Sequence, residues 1–99
     1  MLTLKTIGEF GLIDSIKKGL KVSSRVLQGI GDDAAVVEIA KDKRLLLTTD
    51  MLLEGVHFTR KMSAVKIGHI ALGCNISDIA AMGGNPLYAL VSLGLPPSL

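Results

Sequence analysis

Two short apolar segments, joined by a polar turn, constrain the fold of this chain more than any other feature of its sequence. Residues 34–39 and 44–49 are rich in Val, Ile, Leu and Thr, and Lys41-Asp42-Lys43 lies between them. This pattern predicts two strands paired as an antiparallel hairpin. Asp33 precedes the first strand and Asp50 follows the second, so the pairing brings both carboxylates to the same end of the sheet.

Helical patterns flank the predicted hairpin on both sides. Apolar residues recur at helical spacing over residues 8–18, and Gly19 is placed as a C-terminal stop. Ser63 is a suitable N-cap for a longer helix that runs to about Met82, where Gly83-Gly84 ends it. We therefore expect one helix before the hairpin and one after it.

Residues 87–95 form a final apolar run that Pro96 and Pro97 stop, which predicts a third strand. The order helix, two strands, helix, strand predicts an α/β fold of the α+β type, with helices packed on one face of a mixed sheet. The chain has 99 residues, the length of one small domain over residues 1–99. Its composition is 48% hydrophobic, which allows a core of aliphatic side chains.

Charge and composition argue against several classes of partner. The net charge is only +2, and the basic residues form no stripe, so we expect no nucleic-acid binding. No apolar run reaches the roughly 18 residues that a membrane span needs. The single cysteine, Cys74, excludes an internal disulfide and fits a reducing compartment. We expect a cytoplasmic protein without membrane contacts.

Acidic residues lie just before the first predicted hairpin strand and just after the second. Asp32 and Asp33 are adjacent within a Gly-Asp-Asp-Ala-Ala sequence, and two neighbouring carboxylates that stay ionised require a cation. The same residues also suit a turn in which Asp accepts a backbone hydrogen bond. Thr48-Thr49-Asp50 offers hydroxyl and carboxylate oxygens, which suit Mg²⁺, although polar residues at a strand end are common.

The long predicted helix contains polar residues that its apolar surroundings do not explain. Asn75 and Asp78 are three residues apart and share a helix face, within a segment otherwise rich in Ile, Leu, Ala and Met. Such a helix is expected to be buried, and a buried carboxylate must be paired, protonated or bound to a metal. Cys74 in the same helix is predicted to be a packing residue.

Taken together, the acidic residues predict metal-dependent phosphate chemistry. Neither a Gly-x-x-x-x-Gly-Lys-Ser/Thr loop nor a Gly-x-Gly-x-x-Gly sequence is present. Carboxylates hold a polyphosphate only through bridging cations such as Mg²⁺. His57 lies a few residues after Asp50, where it suits either a structural or a binding role.

Five motifs occur along the chain in a fixed order and spacing. They are Gly8-Glu9-Phe10-Gly11-Leu12-Ile13, Gly29-Ile30-Gly31-Asp32-Asp33-Ala34-Ala35, Thr48-Thr49-Asp50-Met51-Leu52, Gly55-Val56-His57-Phe58 and Asn75-Ile76-Ser77-Asp78-Ile79-Ala80-Ala81-Met82-Gly83-Gly84. Together they resemble the motifs at the start of the thiamine-monophosphate kinase family, within the aminoimidazole-ribonucleotide-synthetase-like ATP-binding superfamily. The resemblance covers nearly the whole chain.

The resemblance implies transfer of the γ-phosphoryl group of ATP to thiamine monophosphate, which gives thiamine diphosphate. It implies that several Mg²⁺ ions are held by five residues, with Asp32 as a supporting partner. These metal-site residues would be Asp33, Thr48, Thr49, Asp50 and Asp78. His57 would contact the thiamine-monophosphate substrate, and no side chain would act as a covalent catalyst.

The resemblance also implies a homodimer and a two-domain enzyme. Residues 1–99 would be its N-terminal Mg²⁺- and ATP-binding domain, incomplete by itself, with the second domain outside these residues; alone they are expected to be inactive. Selenophosphate synthetase is an alternative within the superfamily, but it uses a reactive cysteine or selenocysteine, and residues 1–30 contain no cysteine. A metal-binding dimerisation module without catalytic activity is the alternative of a different class.

Overall fold

The computed structural model describes residues 2–98 and shows two helices and one three-stranded antiparallel sheet. The chain is therefore α+β. The strands are ordered β1-β2-β3 in the sheet, as they are in the sequence. The elements are α1 (Leu4–Gly19), β1 (Val26–Gln28), β2 (Ala35–Ala40), β3 (Lys43–Leu47) and α2 (Ala64–Ala81).

The predicted hairpin is confirmed as the pair β2 and β3. Ala35 pairs with Leu47 and Val36 with Leu46, so the start of β2 lies beside the end of β3. The turn contains Asp42 at φ 61°, a conformation that Asp tolerates better than most residues. Because the pairing is antiparallel, the segments that carry Asp33 and Thr48 leave the sheet at the same end.

Strand β1 was not predicted from the sequence. Val26 pairs with Val37, and Gln28 pairs with Val36, with an irregular register between them. Three residues are too few to show the alternation of apolar and polar residues that marks a strand. The described strand pairs are all antiparallel, so the predicted mixed sheet is wrong for residues 2–98.

Both helices begin at capped residues. The Ser63 hydroxyl accepts a hydrogen bond from the Lys66 backbone N–H at 3.2 Å, which confirms Ser63 as the N-cap of α2. Helix α1 begins before its predicted start at residue 8, because Thr3 caps it in the same way. Gly8 has a φ of 71° inside α1 and marks a kink there, which is where the sequence pattern suggested a helix start.

The predicted final strand over residues 87–95 is wrong. In the part of the chain that the structure describes, this segment forms no hydrogen bonds with the sheet, and its apolar side chains are exposed. Tyr88, for example, is 99% exposed. An apolar run with flanking prolines indicates extended backbone, but a strand also needs a neighbour whose backbone groups it can pair with.

The predicted packing of helices along one face of the sheet is also wrong for residues 2–98. An 18-residue helix such as α2 is about 27 Å long. Strands β2 and β3 have 6 and 5 residues, so at about 3.3 Å per residue they are at most about 20 Å long and cannot cover it. Helix α2 instead meets the sheet near its C-terminal end, where Gly84 lies against Leu46 of β3.

The chain is consequently open. Its accessible surface is 8700 Å², against about 5,400 Å² for a folded monomer of this mass. Its radius of gyration is 16.6 Å, against about 13 Å for a typical domain of this length. Among residues 2–98 only Ala34 is fully buried. No helix within that range is long and apolar enough to cross a membrane.

Candidate functional site

Thr48 joins three segments that the sequence places far apart. It follows β3 directly, and its hydroxyl donates a hydrogen bond to the Asp33 backbone carbonyl at 3.1 Å. The same oxygen lies 3.5 Å from a carboxylate oxygen of Asp78 in α2. A hydroxyl has one hydrogen, so the shorter contact to Asp33 is the hydrogen bond and the contact to Asp78 is at the outer limit of that range.

Asp50 and Asp78 form a close pair of carboxyl groups. Partial burial raises the pKa of Asp78 above its ordinary value, and a hydrogen bond and the negative charge from Asp50 raise it further. The Thr48 hydroxyl lowers it by a smaller amount. Two neighbouring carboxylates repel each other when both are ionised, and a cation bound between them would relieve that repulsion.

The predicted metal residues lie in two neighbouring depressions of the surface. The first, of about 340 Å³, is lined by Asp32, Asp33, Ala34, Ala35, Leu47, Thr48 and Thr49. The second, of about 350 Å³, is lined by Asp50, Met51, Leu52, His57, Cys74, Ser77 and Asp78. The contact between Thr48 and Asp78 connects the two, so the end of the hairpin and the C-terminal half of α2 share one region.

The carboxylate of Asp32 has a local role. One of its oxygens accepts a hydrogen bond from the Asp33 backbone N–H at 2.8 Å. This is the turn-stabilising use of Asp that the sequence left open beside the metal reading. Asp33 approaches the Thr48 hydroxyl through its backbone carbonyl, and the contacts of the described residues do not join its carboxylate to the Asp50–Asp78 pair.

The donor atoms fit Mg²⁺ at Asp50, Asp78 and Thr48, and the fit is partial elsewhere. The oxygens are carboxylate and hydroxyl oxygens, which Mg²⁺ prefers. Asn75 adds a buried Oδ1 that has no hydrogen-bond partner, one turn before Asp78 on the half-buried side of α2, while its Nδ2 donates to the Ala71 carbonyl. Within residues 2–98, however, no three acidic, His or Cys side chains come together closely enough to hold a metal ion.

A tight loop fixes the imidazole of His57. The Leu53 backbone N–H donates to His57 Nδ1 at 2.8 Å, and the His57 backbone N–H donates to the Leu53 carbonyl at 2.9 Å. Because Nδ1 accepts, the neutral ring carries its hydrogen on Nε2. His57 lies on the second depression with Asp50 and Asp78, which leaves Nε2–H as a donor for a bound group.

Cys74 differs from its predicted role. It was predicted to pack in the interior, but its side chain is exposed at the second depression. Nearby, Glu54 forms a salt bridge of 2.7 Å with Arg60, in which both side chains are about half exposed. Such a surface pair contributes about 0–1 kcal/mol.

Part of the lining of the second depression was not predicted from the sequence. Met51 and Leu52 follow Asp50, and Ser77 precedes Asp78. Their position next to predicted metal residues was the available signal. Their inclusion could not be inferred from residue type, because Met and Leu are usual core residues.

Comparison with known proteins shows the family to which the chain belongs. The family model described as "AIR synthase related protein, N-terminal domain" matches residues 31–99. The chain belongs to this family. The match includes β2, β3 and α2, the elements that carry the acidic site. No solved structure matched the chain.

The curated relatives of this chain include thiamine-monophosphate kinases. It is 53% identical to the one from Aquifex aeolicus (strain VF5) over 98 residues, which is 99% of this chain and 30% of the relative. It is 46% identical to the one from Bacillus subtilis (strain 168) over 89 residues, which is 89% of this chain and 27% of the relative. The chain is thus homologous to their N-terminal region, and it spans less than a third of their length.

Substitution of Asp78 by Asn is expected to raise the thermal unfolding temperature of the metal-free chain at neutral pH. Because the pKa of Asp78 is raised in the folded chain, the folded state binds this proton more tightly than the unfolded state. Stability is therefore lost as pH rises through that pKa, and Asn removes this loss. Circular dichroism melts in EDTA between about pH 4 and pH 7 measure the difference.

Asp42→Asn is the matched control, since Asp42 lies in the turn at the opposite end of the hairpin. We expect it to leave the pH profile unchanged. Parallel profiles for Asp78→Asn and the parent chain would contradict the carboxyl pair.

Proposed function

We propose that this chain contributes the acidic half of a Mg²⁺-dependent site that transfers the γ-phosphoryl group of ATP to thiamine monophosphate. The observation that carries the proposal is the Asp50–Asp78 carboxyl pair, joined through Thr48 to the segment that carries Asp33. The homology to thiamine-monophosphate kinases supports the substrates. The fold alone would not, because one fold serves many reactions.

The charge of the site indicates how it binds a polyphosphate. Asp50 and Asp78 repel each other and would also repel phosphate oxygens, so the pair needs cations between itself and the nucleotide. When bound, Mg²⁺ would supply charge neutralisation and polarisation of the transferring phosphoryl group. Asp50, Asp78 and Thr48 would hold this ion, and Asp33 and Thr49 would contribute oxygens from the neighbouring depression.

The reaction needs no nucleophilic side chain. An oxygen of the thiamine-monophosphate phosphate attacks the γ-phosphorus of ATP, the bond from that phosphorus to the bridging oxygen breaks, and ADP leaves with the electron pair. His57 donates its Nε2–H to the substrate phosphate, and the Leu53 N–H holds the ring in the required tautomer. The chain's contribution is therefore positioning and charge, which account for most of the catalysis in such transfers.

We predict that Asp50→Asn and Asp78→Asn each lower kcat/KM for Mg²⁺-dependent phosphoryl transfer by about 100-fold or more, because each removes a charge that holds the ion. The activity is measured in a chimera in which this chain replaces the matching segment of the Aquifex aeolicus enzyme. Asp42→Asn, at the far end of the same hairpin, is the control and is expected to keep full activity. Near-normal turnover of either site variant at saturating Mg²⁺ would remove that residue from the ligand set.

His57→Asn in the same chimera is expected to raise the KM for thiamine monophosphate about tenfold or more, and to change that for ATP by less than about threefold. The Asn Oδ1 can replace Nδ1 as the acceptor for the Leu53 N–H, so the loop is retained while the Nε2–H donor is lost. His57→Ala, which loses both, should show the same preference for thiamine monophosphate with an added loss of stability. Equal effects on both substrates would return His57 to a structural role.

The exposed apolar surface of residues 87–95 bears on the predicted homodimer. Six large apolar side chains between residues 87 and 95 are uncovered, and a second copy of the chain would bury them. We therefore propose self-association in addition to the site chemistry. Sedimentation equilibrium measures it, and a stable monomer at high concentration would contradict it.

A dimeric chimera that binds Mg²⁺ but transfers no phosphoryl group would favour the module without catalytic activity.

A further inference from the structure

Helix α2 ends in a Schellman motif in which the position after the glycine cap is unusual. Met82 is the C-cap, and Gly83, at φ 75°, donates its N–H to the Ala80 carbonyl at 3.0 Å. The Gly84 N–H donates to the Ile79 carbonyl, also at 3.0 Å. In this motif the residue at the Gly84 position commonly carries an apolar side chain that packs back on the helix. Here that residue has no side chain.

The space is filled from the sheet instead. A Cβ added to Gly84 would collide with the Leu46 Cδ1 and would lie only 3.2 Å from the Ile79 Cγ2. Leu46 is the next-to-last residue of β3 and is half buried. The Leu46 side chain thus takes the place of the apolar residue that the motif would carry at position 84, and it connects the end of α2 to the sheet.

This contact is next to the candidate metal site. Side chains alternate between the two faces of a strand, so Leu46 and Thr48 point to the same face of β3. Leu46 contacts Gly84, and Thr48 contacts Asp78, six residues earlier in the same helix end. The apolar contact therefore lies one step along the strand from the polar contact that brings Asp78 to the hairpin.

We propose that Gly84 is a positioning residue for the metal site: its missing side chain lets Leu46 dock the end of α2, which places Asp78 beside Thr48 and Asp50. This inference rests on the proposed function, because its test measures metal binding at the proposed site. A side chain at position 84 forces either Leu46 to rotate away or α2 to move outward. Either response changes the contact between Leu46 and the end of α2, on which the position of Asp78 depends.

The test measures Mn²⁺ affinity by electron paramagnetic resonance, in the chain and in the chimera, at a temperature where circular dichroism shows each variant to be folded. Gly84→Ala is expected to weaken Mn²⁺ binding about tenfold, the loss typical of residues that orient a metal ligand. Leu46→Val removes the carbon that would collide with the new methyl group. The double variant Gly84→Ala with Leu46→Val is expected to regain affinity to within about threefold of the parent.

Gly73→Ala is the matched control, because Gly73 is also in α2 and an added Cβ there meets no atom within 4 Å. It is expected to leave Mn²⁺ affinity unchanged. Unchanged affinity in Gly84→Ala, or a double variant no better than Gly84→Ala alone, would overturn the positioning role. If the parent itself bound no Mn²⁺, the proposed metal site would fail. The packing of Leu46 against Gly84 would then be tested by the unfolding midpoints of the parent, the two single variants and the double variant. If the shifts of the two single variants added up to the shift of the double variant, this packing would be overturned.

Discussion

The site depends on the antiparallel pairing of β2 with β3, closed at one end by the hydrogen bond from the Thr48 hydroxyl to the Asp33 carbonyl. The register of the β2–β3 pairing determines which residues leave the sheet together. The Thr48–Asp33 hydrogen bond then fixes the separation of the two segments beyond the last paired residues. Helix α2 then meets this end of the sheet through two adjacent contacts, one apolar at Leu46 and one polar at Thr48. Loss of the hairpin would separate the segment that carries Asp33 from the segment that carries Thr48 and Asp50.

A second constraint is the repulsion between Asp50 and Asp78. Partial burial raises the pKa of Asp78, and the neighbouring Asp50 carboxyl raises it further, so ionising both groups carries a free-energy cost. A ligand that binds this pair in its ionised form removes the cost, so binding and local stability are coupled. The unpartnered Asn75 Oδ1 nearby is a further polar atom that this part of α2 leaves unsatisfied.

The hairpin, the Ser63 cap and the Gly83 helix end could be predicted from the sequence, because short-range patterns determine them. The convergence of Asp33 with the Thr48-Thr49-Asp50 segment followed from strand order and direction alone. The position of α2 relative to the sheet could not be predicted in this way, since it depends on how Leu46 fits over a missing side chain at Gly84. Residues 87–95 show the same limit, because apolar composition predicts extended backbone and cannot specify a pairing partner.

The most direct measurement of the central claim is Mn²⁺-induced broadening of backbone amide signals in ¹⁵N-labelled chain, observed by nuclear magnetic resonance. Broadening from a bound paramagnetic ion falls steeply with distance, so it reports where the ion sits. We expect selective loss of the signals of Asp33, Thr48, Asp50 and Asp78 at low Mn²⁺, before those of other acidic residues. Equal or earlier loss at the exposed carboxylates Asp14 and Glu38 would contradict a single site built from the hairpin end and α2.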